Sequence, residues 1–330
     1  MKSKAKKLTK AKIWSIISAV IISLFAIAII ITNIFIPVKY LSSYFVIGKR
    51  AEEGIMRVTF VDVGFGDCII VELPDGKNML IDAGDGRYSN NLKVIKELNK
   101  RDIDTIDYLI CSSVNSEHCG GLSEVVKYKH VNSIYMPFCE NKYVTDEFCS
   151  FYNQTEKTDI EPIFNEFKTG INAGDYFFTF LSPSLIYYED GEYSKLNSNP
   201  SKTTRNNSSA ILWLEYAGTA FMFTSDVETS VLESIVSAYE MSGDKDYPAQ
   251  LDKCDIVQLA GHGNALSSCP TFYDLLSPEA AVISVGENGS GCPSVKAMSD
   301  IIANVGKSFY RTDELGNVIF EVTTNGFAVK

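Results

Sequence analysis

From Ile13 to Ile36 the chain runs 24 residues without a charge, directly behind a twelve-residue stretch holding six lysines and no acid. As a helix this run would span ~36 Å at ~1.5 Å per residue, enough to cross a bilayer with some tilt. It divides the chain into a basic tail (1–12), a transmembrane helix (13–36), a juxtamembrane linker (37–54) and one domain (55–330). The rival reading is a cleaved signal peptide. That would have a shorter apolar region and a small-residue cleavage site, and the following "IPVKYLSSYF" shows no A-x-A pattern. Lysines before the span predict a cytoplasmic N-terminus and an extracytoplasmic main domain, single-pass in the cell membrane.

Charge narrows the choice of partner. The net charge is −11, and since the first twelve residues hold +6, the rest carries −17. An acidic domain repels nucleic acid unless a basic patch or bound metal offsets it, and no basic run follows residue 50. The membrane is the one partner read directly from composition. The eight cysteines include no C-x-x-C, which removes the zinc-ribbon reading. Cys68, Cys111 and Cys254 sit in or beside apolar runs, as buried thiols do. Cys139 and Cys149 lie in a loop-like region and are the candidate disulfide of an exported domain.

Hydrophobic patterning then gives the elements. "MRVTFVDV" (56–63), "CIIVEL" (68–73) and "KNMLIDAG" (77–84) read as strands, with "PDGK" as the turn of a hairpin. "NLKVIKELNKR" (91–101) has helical spacing, "IDYLICSS" (106–113) is a buried strand, and a short helix (121–128) precedes a strand (131–137). Residues 138–175 read as an irregular insertion and 184–206 as a long polar loop. A hairpin over 209–226 turns at Ala217-Gly218. Helices at 227–241, 270–276 and 294–304 alternate with strands at 254–260, 280–286, 307–311 and 317–322. Two blocks of strands, each closed by helix–strand alternation, predict two packed sheets with helices outside.

Five pieces carry chemistry: "FVDVGFGDCIIVELPDGKNMLIDAG" (60–84), "SSVNSEHCGGLSEVV" (112–126), "NNSSAILWLEYAGTAFMFTSDVE" (206–228), "LAGHGNALSS" (259–268) and "ISVGENGSGCPS" (283–294). In order and spacing they resemble the hydrolase-like domain of ComEC-type competence proteins, of the metallo-β-lactamase fold superfamily, over about 270 residues. The resemblance implies a four-layer αββα metallo-β-lactamase-like sandwich, α/β in class. It also implies a two-metal hydrolytic site, in which metals lower the pKa of a water and polarise the scissile group.

Carried over by position, the family's ligand set is uneven. Its first histidine falls on Ser113 and its first aspartate on Asn115, both neutral here. Its second aspartate falls on Glu117, and the adjoining histidine is kept as His118. The bridging aspartate is kept as Asp226. In "GHG" one histidine has become Gly261 while His262 remains, and a late histidine has become Cys292. The resemblance therefore implies that Glu117, His118, Asp226 and His262 hold one zinc or manganese ion, with Glu117 and Asp226 as catalytic carboxylates; the other reading is that no metal remains. Cys292 is a further ligand or a passive replacement. Each position also has a plain structural reading. His118 or Asp226 would cap a helix, and Glu117 would be a solvated loop acid. Asp62, Asp67 and Asp82 read as fixing strand ends and turns, and His130 as a surface residue.

Two functions remain in view. One is a membrane-anchored metallo-hydrolase whose substrate, by resemblance, is a phosphodiester or nucleic acid. The other is a catalytically inactive binding or scaffold domain of the same fold, in which the replaced positions record lost chemistry. DNA transport by this chain alone is excluded, because it requires a channel of several spanning helices and the sequence has one candidate span.

Overall fold

The computed structural model describes residues 10–35, 38–46, 48–139, 142–183, 196, 199–242, 247–305 and 308–330. Most of the basic tail (1–9) and much of the polar stretch 184–198 lie outside the described residues.

The N-terminal helix Lys10–Phe35 keeps Trp14, Phe25 and the intervening aliphatic side chains exposed. Its side chains are described without interruption only over 14–30, and among the described residues no helix is long and apolar enough to cross a membrane. After it, a 3-10 helix, Val38–Phe45, packs onto the main body. Tyr40 is fully buried there, stacked on Tyr88 and edge-on to Tyr128. Its hydroxyl donates to Glu124 Oε2 at 2.7 Å, and Lys39 pairs with the same carboxylate. Asn99 Nδ2 donates to Ser43 Oγ at 2.8 Å. The stretch expected as a linker is thus pinned at its front half.

Among the described residues fifteen strands follow: β1 (Met56–Phe60), β2 (Ile69–Glu72), β3 (Asn78–Ile81), β4 (Thr105–Ile110), β5 (His130–Met136), β6 (Ile163–Phe164), β7 (Gly170–Asn172), β8 (Tyr176–Ser182), β9 (Ile211–Tyr216), β10 (Thr219–Phe223), β11 (Ile256–Gln258), β12 (Ala280–Ile283), β13 (Phe309–Arg311), β14 (Val318–Thr323) and β15 (Gly326–Val329). They form one sheet in the order β15-β14-β1-β2-β3-β4-β5-β6 and a second in the order β13-β12-β11-β10-β9-β8-β7. In each, an antiparallel half gives way to a parallel half, β3-β4-β5-β6 in the first and β10-β11-β12-β13 in the second.

Side chains alternate across each strand, so each sheet has two apolar faces. Val58, Phe60, Ile69, Val71, Phe178, Phe180, Phe221, Phe223 and Phe320 fill the space between the sheets. Ile70, Leu80 and Leu109 face the other way and meet Val94, Leu98, Leu122, Val125 and Phe148 from helices Tyr88–Lys100, Leu122–Tyr128 and Asp146–Thr155. Trp213, Met222 and Val257 face Leu232, Ile235, Phe272 and Ile301 from helices Thr229–Ser242, Pro270–Leu276 and Val295–Val305. This is the expected αββα sandwich.

Both expected hairpins form where their turn residues sit. Gly76 supplies a φ of 85° between β2 and β3, and Ala217 (52°) and Gly218 (77°) make the two-residue turn between β9 and β10. Three expectations need correction. Residues 138–175 are ordered by helix Asp146–Thr155 and strands β6 and β7, because polar residues there cap and pair: Thr145 Oγ1 accepts from Phe148 N–H. The stretch 184–206 includes the start of a helix, Lys202–Asn207, capped by Ser201. Cys139 and Cys149 form no disulfide; Cys139 contacts the Leu196 carbonyl at 3.7 Å, and the Cys149 sulfur accepts from Asn153 Nδ2 at 3.4 Å.

Candidate metal centre

The parallel strands end at one edge of the sandwich, and the chemistry-bearing loops leave from those ends. Asp82 follows β3, Ser112 and Ser113 follow β4, Asp226 lies three residues after β10, and His262 lies four after β11. Asp67 enters from the loop before β2. All of these side chains are buried.

His118 sits on a single helical turn, Ser116–Cys119, laid against the ends of β3 and β4. Its Nδ1 lies 2.8 Å from Asp82 Oδ2 and its Nε2 lies 3.1 Å from Asp226 Oδ2. Asp82 is held by the Ser112 backbone N–H (2.7 Å) and hydroxyl (2.5 Å). His262 stands in a left-handed run, Gly261 (φ 58°), His262 (56°) and Gly263 (76°), a conformation costly for a side chain other than glycine's. Its Nδ1 donates to the Ser284 carbonyl at 2.8 Å, and its Nε2 lies 3.4 Å from Asp226 Oδ1. The two imidazole centroids are 5.3 Å apart.

Asp226 thus faces both histidines through Nε2, while each Nδ1 is tied to an acceptor behind it. A partner behind the ring in this way fixes the tautomer of a metal-binding histidine and leaves Nε2 free to bind. Both Nε2 atoms are buried with no hydrogen-bond partner. The 3.1 and 3.4 Å nitrogen–oxygen separations match the ~3.3 Å between two ligands of a tetrahedral ion with bonds of ~2.0–2.1 Å. Among the described residues, ligand atoms converge in two groups, His118–Asp226–His262 and Asp67–Asp82–His118. The donor set of the first, two imidazoles and a carboxylate, suits zinc or manganese.

Electrostatics follow from this packing. Burial alone would raise the Asp226 pKa, but His118 foremost, then His262 and Asn115, hold it well below the ordinary carboxylate range. Burial would lower the His118 pKa, and Asp226 and Asp82 instead raise it well above the ordinary imidazole value. Asp67 goes the other way. Burial, helped by Asp82 and Asp226, raises its pKa against the opposing pull of His262 and His118.

The structure brings together three of the four residues proposed from the sequence. Glu117 is on the same loop but belongs to neither converging group. Its carboxylate accepts from Ser116 Oγ at 3.1 Å, and its carbonyl accepts the Asp67 N–H at 3.1 Å, packed so closely on Gly66 that a Cβ there would lie 2.3 Å away. Glu117 does line the cleft above the cluster. This narrow opening is walled by Phe65, Glu117, Lys202, Asp226, His262 and Leu266, among others. Asp226 is no helix cap, since the next helix begins at Thr229. At Gly261, whose φ of 58° strains any other residue, a Cβ would lie 2.4 Å from Ser267 Oγ and would require that hydroxyl to turn aside. Cys292 is half-buried and in neither group.

Asp67 and Asp82 were read from the sequence as turn-fixing residues, and the structure adds their place beside His118. The available signal was position: an acid directly after an apolar strand whose parallel neighbour ends in the histidine loop.

No family model matches the chain. It is 24% identical over 280 residues to the ComE operon protein 3 of Bacillus subtilis, matching 79% of this chain and 32% of that protein. It is 26% identical over 278 residues to the competence protein ComA of Neisseria gonorrhoeae, matching 84% of this chain and 34% of that protein. The chain thus spans about a third of the length of these relatives. Among solved structures, CmlA, a diiron β-hydroxylase from Streptomyces venezuelae, is similar with a TM-score of 0.51 at 12% identity, over 82% of this chain and 54% of that one. The fold resembles the metallo-β-lactamase fold, and the sequence is similar to ComEC-type competence proteins.

Proposed function

We propose that this chain is a membrane-anchored hydrolase of the metallo-β-lactamase fold that cleaves a phosphodiester at a one-metal site. The observation that carries this reading is the convergence of His118 Nε2, His262 Nε2 and Asp226, with both nitrogens buried and otherwise unpartnered. These three would hold the ion, zinc or manganese. When bound it would supply Lewis acidity and a hydroxide near neutral pH.

The chain's own groups do the rest. Asp82 and the Ser284 carbonyl orient the two imidazoles. Lys202 supplies the ammonium group of the cleft, suited to a non-bridging phosphoryl oxygen, and Glu117 on the cleft wall is the candidate group for proton transfer. Phe65 lies with its ring centroid 4.6 Å from that of His262 and keeps the inner wall of the cleft apolar. Support for the anchor is the uncharged run Ile13–Ile36 behind six lysines, with the main domain outside the cell. Recovery of the full chain in an alkali-washed membrane pellet tests it, and release into the supernatant would count against it.

Metal analysis of chelator-stripped, reloaded protein should give one equivalent, and Asp226→Ala should lose both the ion and hydrolysis of bis(p-nitrophenyl) phosphate. Glu117→Gln should keep the ion and lose ~10²-fold or more in kcat. The scaffold reading is favoured by Ser113, Asn115 and Gly261, where the family's ligands are gone. Metal-loaded protein with no turnover on any diester would establish it instead.

A further inference from the structure

The positions from which the family's first metal would be held are not loosely filled here. Ser113 accepts a hydrogen bond from Ser209 Oγ at 3.0 Å. Arg205, on helix Lys202–Asn207, donates through Nε to Asn115 Oδ1 at 2.9 Å. A guanidinium only donates, so this bond fixes the amide with its oxygen towards Arg205 and its nitrogen inward. Asn115 Nδ2 then spends both hydrogens, on Asp226 Oδ2 at 2.7 Å and on Asn206 Oδ1 at 2.8 Å. Asn206 Nδ2 passes the same direction on to Glu228 Oε1 at 2.9 Å. Asn115, Asn206, Asp226 and Glu228 are all buried.

We propose that the Arg205–Asn115 pair takes, in charge and in hydrogen-bond donors, the place of a second metal ion, limiting the cluster to one ion and orienting Asp226 towards His118 and His262. Arg205 is a positioning residue in this scheme. It reaches the carboxylate only through the Asn115 amide, which it polarises and holds in one orientation. A carboxylate at position 115 would face Asp226 at the same close distance and would need a cation between them. With Arg205 present, the guanidinium supplies that charge. Without it, a divalent ion would be drawn in by the two carboxylates, with the Ser113 and Ser209 hydroxyls and the Asn206 amide oxygen nearby.

The proposal rests on the one-metal reading above, and its test separates the two. Full-length protein in detergent is stripped with chelator, reloaded with Mn²⁺ and counted by elemental analysis, with electron paramagnetic resonance to detect exchange-coupled pairs. Wild type, Asn115→Asp and Arg205→Gln should each bind one ion. Asn115→Asp/Arg205→Gln should bind two and show the coupled signal, and Asn115→Asp/Arg205→Lys, which restores the cation, should return to one. One ion in folded Asn115→Asp/Arg205→Gln overturns this proposal and leaves the one-metal hydrolase reading standing, whereas two ions in wild type overturn this proposal together with the one-metal count and leave only hydrolysis itself in place. No ion in wild type overturns both. Asn115→Asp alone, nearly isosteric, serves if the double variants do not fold: a second ion there overturns the proposal, and continued binding of one supports it.

Discussion

Asp82 makes three contacts at the base of the cluster: the Ser112 N–H, the Ser112 hydroxyl and His118 Nδ1. Replacing it by asparagine keeps the shape and removes the charge that fixes the His118 tautomer. Asp82→Asn should therefore weaken metal binding ~10–100-fold while the fold persists. Competition against a chromogenic chelator measures this, and an unchanged affinity would remove Asp82 from the site. His118, Asp226 and His262 were legible in the sequence because they stand at the ligand positions of motifs that resemble those of ComEC-type domains. Asp82 was not, because its role depends on β3 lying beside β4, and adjacency of strands is not written in either strand. Glu117 shows the reverse. Its residue type and neighbour suggested a ligand, but the backbone is turned so that its carbonyl, not its carboxylate, faces the Asp67 loop.

At the scale of elements, turn chemistry was the most legible feature. Ala217 and Gly218 close β9 onto β10 with both φ values positive, and alanine is strained there where asparagine is not. Ala217→Asn should stabilise the protein by ~0.5–1 kcal/mol and raise the thermal midpoint by ~1–4 °C. A scan by calorimetry decides it, and a lower midpoint would contradict the turn assignment. Helix Asp146–Thr155 escaped the sequence because its buried i, i+3, i+7 face carries only two apolar residues, Phe148 and Phe151, with polar Thr155 as the third. The docked segment Val38–Phe45 escaped because its one deep anchor, Tyr40, looks like any linker tyrosine. That anchor brings pH dependence with it. Burial alone would raise the Glu124 pKa, but hydrogen bonds from Lys39 and Tyr40 outweigh it and hold the carboxyl below its ordinary value. A depressed acid contributes stability that is fully present above its unfolded pKa of ~4.3 and is lost as pH falls through the folded value. Tyr40 should thus stay buried at neutral pH and loosen below about pH 4, whereas Glu124→Gln, with no carboxyl to titrate, should be weakened alike at neutral and acid pH. Ultraviolet difference absorption of the tyrosines follows the change, and a signal flat to about pH 3 would show that the aromatic stack alone holds the segment.

For the molecule as a whole, charge argues about substrate size more than residue type does. Everything after the basic tail carries −17, and where basic side chains gather among the described residues, Lys49, Arg57, Lys100, Arg101 and Lys330, each pairs with Glu52, Glu72, Glu97 or Glu321. The cleft beside Asp226 and His262 is small, and Lys202 lines it together with Glu117. A polymer with a charge every few ångströms would meet repulsion over most of its length and attraction at about one phosphate. Duplex DNA should accordingly bind no tighter than ~10⁻⁴ M at physiological salt, with a salt slope near −0.9, the value for a single neutralised phosphate. A small diester escapes the repulsion and keeps the one contact. Lys202→Glu should raise KM for bis(p-nitrophenyl) phosphate ~10-fold or more with kcat little changed, because the contact holds substrate and transition state alike. If kcat falls with KM unchanged, Lys202 acts on the reacting phosphoryl group itself. If wild-type protein binds DNA tightly with a steep salt slope, a basic surface must come from a partner, and the small-substrate assignment fails.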